Sequence, residues 1–332
     1  MQQKIIIKDK IYGNHIITEP VLIALLKSKP VLRLKKICQF GIPDEYYQIK
    51  NFNRYEHSLG VMILIKTLGG SIEEQIAGLL HDVSHSAFSH VIDWVVRETY
   101  SESFDETYQD NQHDDIIDSG EIKSILKKYQ YHPKTISDYH NFKLLERNIP
   151  NLCADRVDYA LREFPIDIAK FLFKSLINID NRIVFQDEKT ALIFAMNFLK
   201  LQNEHWGGFE AVSRFKLFSG ALKLAISDGT IKFADFLKDD QYVIHKLLKT
   251  KNNEVSTILE ILRNKKLPLS KKSEIVHKKF RYTDPEFQSA GKIRNLSKVD
   301  LKFKKLLEKQ KIANQKGIKV PVFEKKLRSL VH

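Results

Sequence analysis

Apolar residues recur at helical spacing along most of the chain. Leu22, Ile23, Leu25 and Leu26 share one face behind Glu19-Pro20, which predicts a helix with proline in its first turn. A second helix is predicted from Pro30 to Gln39, stopped by Gly41-Ile42-Pro43. His57–Leu68 keeps the spacing up to Gly69-Gly70. Ser71 then caps Ile72–Leu80, with Glu73 and Glu74 in the first turn. Glu121–Tyr129, Leu152–Phe164, Phe171–Ile177, Lys189–Gln202, His205–Ile226, Ile231–Leu248, Glu254–Leu262 and Lys302–Lys311 read as further helices. Strand signals are few. Lys4–Ile7 and His15–Thr18 flank the turn residues Tyr12-Gly13-Asn14 and predict a hairpin. Arg182–Phe185 is a strand and Ile275–Tyr282 a weaker candidate. The acidic stretch 98–120 reads as a loop or short helical insertion. The class is mostly α with small β additions, and there is no internal repeat.

At 332 residues, 43% apolar and 29% charged, the chain is globular and long enough for one large domain or a main domain with an appendage. No apolar run approaches the ~18 residues of a membrane span, and MQQKIIIKDK has no signal-peptide core. Cys38 and Cys153 are too few for a disulfide framework, so a reducing, cytoplasmic setting is expected. The net charge of +13 is unevenly spread: residues 232–332 carry 26 Lys+Arg against 11 Asp+Glu, and residues 1–231 carry 28 against 30. The expected division is therefore a core over 1–230 and a basic, mixed C-terminal region over 231–332. That flank suits a polyanion, nucleotide or nucleic acid, and equally suits a lysine-rich solvated surface.

The densest chemistry is HDVSHSAFSHVID, residues 81–93. It places three histidines and two aspartates behind an apolar helix. His81 and His85 are one turn apart, as are His90 and Asp93. Neutral imidazoles and carboxylates are the ligands a divalent transition metal takes. A lone histidine, a His-Asp pair and a distant aspartate follow in order: His57, His81-Asp82 and Asp155.

Arg54-Tyr55-Glu56-His57-Ser58-Leu59-Gly60-Val61, the 81–93 segment and Asp155-Arg156-Val157-Asp158-Tyr159 together resemble the HD-domain metal-dependent phosphohydrolases, in their dNTP triphosphohydrolase branch. Lys8 through Ile11-Tyr12-Gly13 to Leu32-Arg33-Leu34 is similar to that branch's opening. The resemblance runs over about residues 5–165 and more loosely to about 230. It implies an HD helical core behind the small hairpin. It also implies that His57, His81, Asp82 and Asp155 hold one divalent metal. The mixed N/O set suits Mn, Fe, Co, Ni or Zn, with Mg expected on substrate phosphates.

The resemblance also places His85 and His90 near the phosphates, Asp93 behind a catalytic histidine, and His113-Asp114 at a His–carboxylate acid/base pair. Asp114 is one methylene shorter than the family's glutamate. Gln39 and Phe40 fall where the family lines its sugar pocket. Arg54, Arg156, Tyr159 and Arg162 are phosphate-binding candidates; Arg162 could instead bridge to Asp158, one turn back. Trp206 reads as a core aromatic, with Arg214 on the same expected helix. Lys27 and Leu32 do not repeat the acid and amide pattern of the family's activator site.

The expected function is hydrolysis of a nucleotide, foremost a dNTP to deoxynucleoside and triphosphate. Alternatives are another phosphoester, such as a nucleoside monophosphate or a cyclic dinucleotide, and a nucleic-acid-binding protein on an HD scaffold. An assembly of identical copies is expected, and no membrane partner.

Overall fold

A computed structural model of the chain describes residues 3–49, 52–100, 112–267 and 273–321. The chain opens with the expected hairpin, β1 (Ile5–Asp9) against β2 (Gly13–Ile17), paired Ile7 to His15. The Asp9 carboxylate accepts the Ile11 and Tyr12 N–H groups and so fixes the turn. Then come α1 (Pro20–Lys27), α2 (Lys29–Arg33) and a 3₁₀ turn over Leu34–Lys36. The helix expected to reach Gln39 therefore breaks earlier. Arg33, at its end, turns its guanidinium onto the carbonyls of Val83, His85 and Lys238.

Helix α3 (Arg54–Thr67) starts at a reciprocal cap in which Asn53 accepts from Glu56 N and Glu56 accepts from Asn53 N. Helix α4 (Ile72–Leu80) starts at Ser71 and delivers His81 at its end. Next are α5 (Val91–Tyr100), α6 (His113–Ile117), α7 (Gly120–Lys128) and α8 (Pro133–Ser137). The expected acidic insertion lies partly outside the described residues. Helix α9 (Ala154–Glu163) begins two residues later than its apolar pattern, and α10 (Ile166–Lys174) follows.

The stretch Phe171–Ile177, expected to be helical, is divided between α10 and β3 (Leu176–Ile179), which pairs antiparallel with β4 (Arg182–Phe185). Helix α11 (Glu188–Leu201) ends in a π turn over Gln202–Trp206, so α12 (Phe209–Ser227) starts later than expected. In place of one helix over 231–248 there is a 3₁₀ turn, Phe233–Leu237, and α13 (Asp240–Leu247). The Asp239 side chain restarts the helix by accepting from Tyr242 N. Helix α14 is Asn253–Arg263.

Of the weaker strand candidate, only β5 (Ser273–Val276) reaches into 275–282. Hairpin β6 (Glu286–Ser289) and β7 (Lys292–Asn295) follows, then α15 (Leu296–Val299), α16 (Leu301–Gln315) and β8 (Ile318–Pro321), which pairs with β5. β6 lies parallel to β4 at Phe185–Phe287 and extends that sheet to the order β3-β4-β6-β7.

Two apolar cores result. One joins the hairpin, α1, α3, α4, α9, α11 and residues Phe287, Leu296 and Phe303 of the basic third. The other joins Tyr46, the Phe88–Val96 stretch, α12, Phe236, α13 and α14. Phe40 packs against both. No described helix is long and apolar enough to cross a membrane.

Candidate metal centre and substrate cleft

Helices α3, α4 and α9 bring their conserved-type polar residues to one point because each presents an apolar face to the first core and a polar side chain at its rim. Gly60 on α3 allows the closest approach. A Cβ there would fall on the Asp158 carboxylate and the Arg162 guanidinium of α9.

His57 Nδ1 lies 2.7 Å from Asp158 Oδ2. That carboxylate also accepts from Tyr12 Oη at 2.6 Å and Arg162 Nε at 2.8 Å, so it is an acceptor and His57 Nδ1 is the donor. His81 Nδ1 likewise donates to the Gly78 carbonyl at 2.8 Å. Both Nε2 atoms are thereby left with lone pairs, and they face each other at 3.2 Å. Asp155 Oδ1 stands 2.9 Å from His57 Nε2 and 3.6 Å from His81 Nε2. The Asp82 oxygens stand 3.8 Å and 3.5 Å from the same two nitrogens.

Four Lewis-basic groups thus converge, and a proton or a cation must lie among them. Their spacing suits a cation. Bonds of about 2.1 Å to a six-coordinate ion would separate adjacent ligands by roughly 3.0 Å, and a four-coordinate ion by roughly 3.4 Å. Without an ion the cluster attracts protons. Burial lowers the His57 imidazole, but the hydrogen bonds with Asp155 and Asp158 outweigh it and push it up to about 9. Burial raises the Asp82 carboxyl, and the adjacent Arg54 and histidines override it and hold it well below the usual carboxylate range.

Glu146 and Cys153 also come within ligand distance of Asp155. That position is taken by the Arg156 guanidinium, with Nη1 3.1 Å from Cys153 Sγ and Nη2 3.5 Å from Glu146.

Residues 81–90 form a turn-rich loop rather than a continuing helix, with Phe88 and Ser89 left-handed at φ 63° and 46°. Several partners hold that strained pair. Phe88 N donates to Asp240 and Ala87 N to the Phe236 carbonyl. The Ser89 hydroxyl donates to Cys38 O and accepts from Arg54 Nε. Because the helix does not continue, His85 does not stack over His81. Instead its Nε2 contacts Asp82 at 3.1 Å, and burial holds the ring neutral by lowering it well below its ordinary value. His90 is paired with Asp93 at 3.1 Å and reaches the cleft wall with its side chain 38% exposed.

The cleft beside the centre lies at the seam between the two cores. Gln39, Phe40, Arg54, His90 and Tyr159 of the expected residues line it. They are joined by Ile49, Phe52, Glu163, His205, Trp206, Phe215, Lys278 and Arg281. Arg54 is buried here, bound to Asp82 at 2.6 Å.

Other expected substrate residues are not brought to the cleft. Arg156 follows Asp155 by one residue, about 100° further round the helix, and ties the 147–153 loop through the carbonyls of Arg147 and Asn151. Arg162 takes its alternative role, bridging Asp158 at 2.8 Å and Asp9 at 2.9 Å. Arg214 is bound by the carbonyls of Tyr46, Leu262, Asn264 and Lys265. His113 is buried against Ser84 and Tyr139, and burial, with help from His81, pushes it down to about 4. Asp114, its expected partner, is exposed and lines a separate surface recess with Asp115, Asp118 and His140.

The sequence offered Asp158 only as a bridge for Arg162, not as the partner of His57, and offered no role for Glu163, His205, Lys278 or Arg281. Asp158 and Glu163 carried a usable signal, since with Asp155 and Tyr159 they share one face of α9. His205 and the two cations carried none, because their partners are remote in sequence.

The HD-domain family model matches residues 54–162, which span α3 through the end of α9. The chain is 42% identical over 260 residues to the uncharacterized protein YdhJ of Bacillus subtilis, covering 76% of this chain and 78% of that one. It is 28% identical over 302 residues to the metal-dependent phosphohydrolase cns2 of Cordyceps militaris, covering 86% of each. A crystal structure of a phosphohydrolase from Bacteroides thetaiotaomicron shares the fold, with a TM-score of 0.63 at 17% identity over 90% of this chain and 95% of that one. The convergent histidines and aspartates, the matched helices and the relatives aligned over three quarters or more of the chain agree, and the chain belongs to the HD-domain family of metal-dependent phosphohydrolases.

Proposed function

We propose that the chain hydrolyses a nucleotide, with His57, His81, Asp82 and Asp155 holding one divalent transition metal and the aromatic cleft holding the nucleoside. The observation that carries this is the pairing of two Nε2 lone pairs and two carboxylates with a cleft walled by Phe40, Tyr159 and Trp206. When bound, the metal supplies Lewis-acid polarisation of a phosphoryl oxygen and activation of a water. Asp158 and the Gly78 carbonyl keep His57 and His81 in the ligating tautomer. Arg54 balances the Asp82 charge and fixes its direction. His90, oriented by Asp93, is the proton-handling group at the cleft wall. Gln39 has a buried side-chain oxygen without a hydrogen-bond partner, which suits a donor on the sugar.

The reaction proposed first, on the motif resemblance, is dNTP to deoxynucleoside and triphosphate. A second reading, hydrolysis of a nucleoside monophosphate, is favoured by one observation. Arg156 and Arg162 are committed to structural partners, and the cationic side chains lining the cleft among the described residues are Arg54, Lys278 and Arg281. The last two belong to the basic third, which connects its charge to the phosphates.

Product analysis separates the readings. Each dNTP and each deoxynucleoside monophosphate is incubated with Mn²⁺ and either the protein or its His81→Ala/Asp82→Ala variant. Deoxynucleoside with intact triphosphate, lost in the variant, supports the first. Orthophosphate from the monophosphate alone supports the second. Turnover of neither sinks the nucleotide reading.

A further inference from the structure

The cleft holds a histidine that the metal chemistry does not use. His205 sits in the π turn Gln202–Trp206, which Gly207 N closes onto the Gln202 carbonyl at 2.7 Å. A Cβ on Gly207 would fall on the Gln202 side chain and carbonyl, and one on Gly208 on the Glu204 carbonyl, so the Gly-Gly pair fixes this turn. Such turns frequently mark functional positions. Here it aims two consecutive side chains at one carboxylate. Glu163 Oε1 accepts the Trp206 indole N–H at 2.8 Å, and Oε2 takes His205 Nδ1 at 2.6 Å. The imidazole is stacked on Phe40, ring centres 4.5 Å apart and 26° between planes. Its Nε2 is buried and has no hydrogen-bond partner. With both Glu163 oxygens engaged as acceptors, Nδ1 carries the proton, which leaves Nε2 as the ring's acceptor in a wall shared with Phe40 and Trp206.

We propose that His205, held by Glu163, is the specificity-determining residue of the cleft, its Nε2 accepting a hydrogen bond from a donor on the nucleoside. The donor is an exocyclic amine of the base or a hydroxyl of the sugar. The inference rests on the nucleotide reading above and deepens it. A buried acceptor left without its donor rejects a ligand strongly, whereas an aromatic wall alone discriminates weakly between bases.

Nucleosides test this without any phosphate to cleave. Binding of deoxyadenosine, deoxyinosine, 2′,3′-dideoxyadenosine, deoxycytidine and deoxyuridine to the Mn²⁺-loaded protein is measured by calorimetry. The expected result is at least tenfold discrimination in one comparison. Deoxyadenosine over deoxyinosine, or deoxycytidine over deoxyuridine, identifies an amine. Deoxyadenosine over dideoxyadenosine identifies the sugar hydroxyl.

Glu163→Gln then turns the imidazole round. The amide oxygen keeps the Trp206 bond, and the amide NH₂ donates to Nδ1, which forces the proton to Nε2. If the donor is an amine, the variant reverses the preference toward the carbonyl-bearing base. If it is a hydroxyl, which can also accept, the variant still binds deoxyadenosine. His205→Phe keeps the stack on Phe40 and loses the discrimination to within about twofold. Wild-type discrimination retained in His205→Phe overturns the proposal, as does unchanged amine preference in Glu163→Gln. Equal binding of all five nucleosides by the wild-type protein also overturns it, and leaves the nucleotide reading standing if product analysis shows turnover. Absence of both binding and turnover removes both.

Discussion

Replacing Asp158 by asparagine changes neither size nor shape, yet it removes a charge on which three donors converge. His57 Nδ1, Tyr12 Oη and Arg162 Nε all reach this carboxylate at 2.6–2.8 Å in a fully buried site. An amide oxygen has two acceptor positions, and the amide NH₂ must face a third donor. One donor therefore loses its acceptor, at a cost of about 1–3 kcal/mol. Arg162 loses one of its two carboxylates but keeps Asp9 at 2.9 Å, so the loss falls at the low end of the ~3–5 kcal/mol of a broken buried pair. Together these give roughly 4–6 kcal/mol of destabilisation. The imidazole also loses the partner that fixes its ligating tautomer, which lowers metal affinity about 10–100-fold. Urea unfolding of the metal-free protein reads the first effect, and Mn²⁺ calorimetry on the folded variant reads the second. Tyr12→Phe is the control: it removes one donor, leaves His57 oriented, and keeps wild-type metal affinity. An Asp158→Asn protein that binds Mn²⁺ as tightly as wild type would show that Asp158 only holds the helices together. One with unchanged stability would refute the three-donor geometry itself.

Two further predictions concern the same scaffold. Burial pushes the Asp240 carboxyl up to about 7 despite the N–H groups of Cys38 and Phe88 that it accepts. The folded state therefore holds that proton more tightly than the unfolded chain. The resulting stability is full below about pH 4 and is lost as pH rises toward 7, by up to roughly 4 kcal/mol. Urea unfolding from pH 4.5 to 7.5 should show the gap between wild type and Asp240→Asn shrinking as pH rises, and a constant gap counts against it. Gly60→Ala drives a methyl onto Asp158 and Arg162, whose buried network cannot give way. It should cost about 3 kcal/mol and lower the thermal midpoint, and an unchanged midpoint would mean that α3 and α9 do not approach this closely.

The convergence of histidines and carboxylates was legible because its members are marked locally. His57 opens a capped helix, His81-Asp82 closes another, and Asp155 opens a third, so each ligand stands at a helix end that the apolar pattern already locates. The partners of those ligands were harder to read. Asp155 and Asp158 look alike in sequence, and only the closeness of α3 and α9 sends one toward Nε2 of His57 and the other toward its Nδ1. Arg156 and Arg162 looked like phosphate ligands by charge alone, yet each had a carboxylate or carbonyl nearer than the cleft. The break between α11 and α12 was legible near residues 203–204, but the π turn that carries the chain on to Trp206 was not, and it moves the start of α12 from His205 to Phe209. Strands β6 and β7 were missed for a different reason. EFQS and KIRN are polar, and what recruits them is Phe287 meeting Phe185 about a hundred positions away.

That recruitment bears on how the centre works. The family model ends at residue 162, and every proposed ligand lies within it. The left-handed turn at Phe88-Ser89 nevertheless depends on later residues, through the Asp240 carboxylate and the Phe236 carbonyl. Arg33 closes the same clamp from the other side, bonding Val83, His85 and Lys238 at once. Neither core alone holds the loop that carries His85 and His90. The cleft has the same dependence, since Tyr159 and Trp206 come with the first core, Ile49 and Phe215 with the second, and Lys278 and Arg281 from beyond both. The proposed ligands sit at the rim of the first core, with His57 fully buried and Asp155 the most exposed of the four. The cleft sits on the seam, where side chains from distant parts of the chain meet beside that cluster. On this architecture a change at Ile49, Trp206, Phe215, Lys278 or Arg281, all outside residues 54–162, reshapes the cleft without touching a proposed ligand.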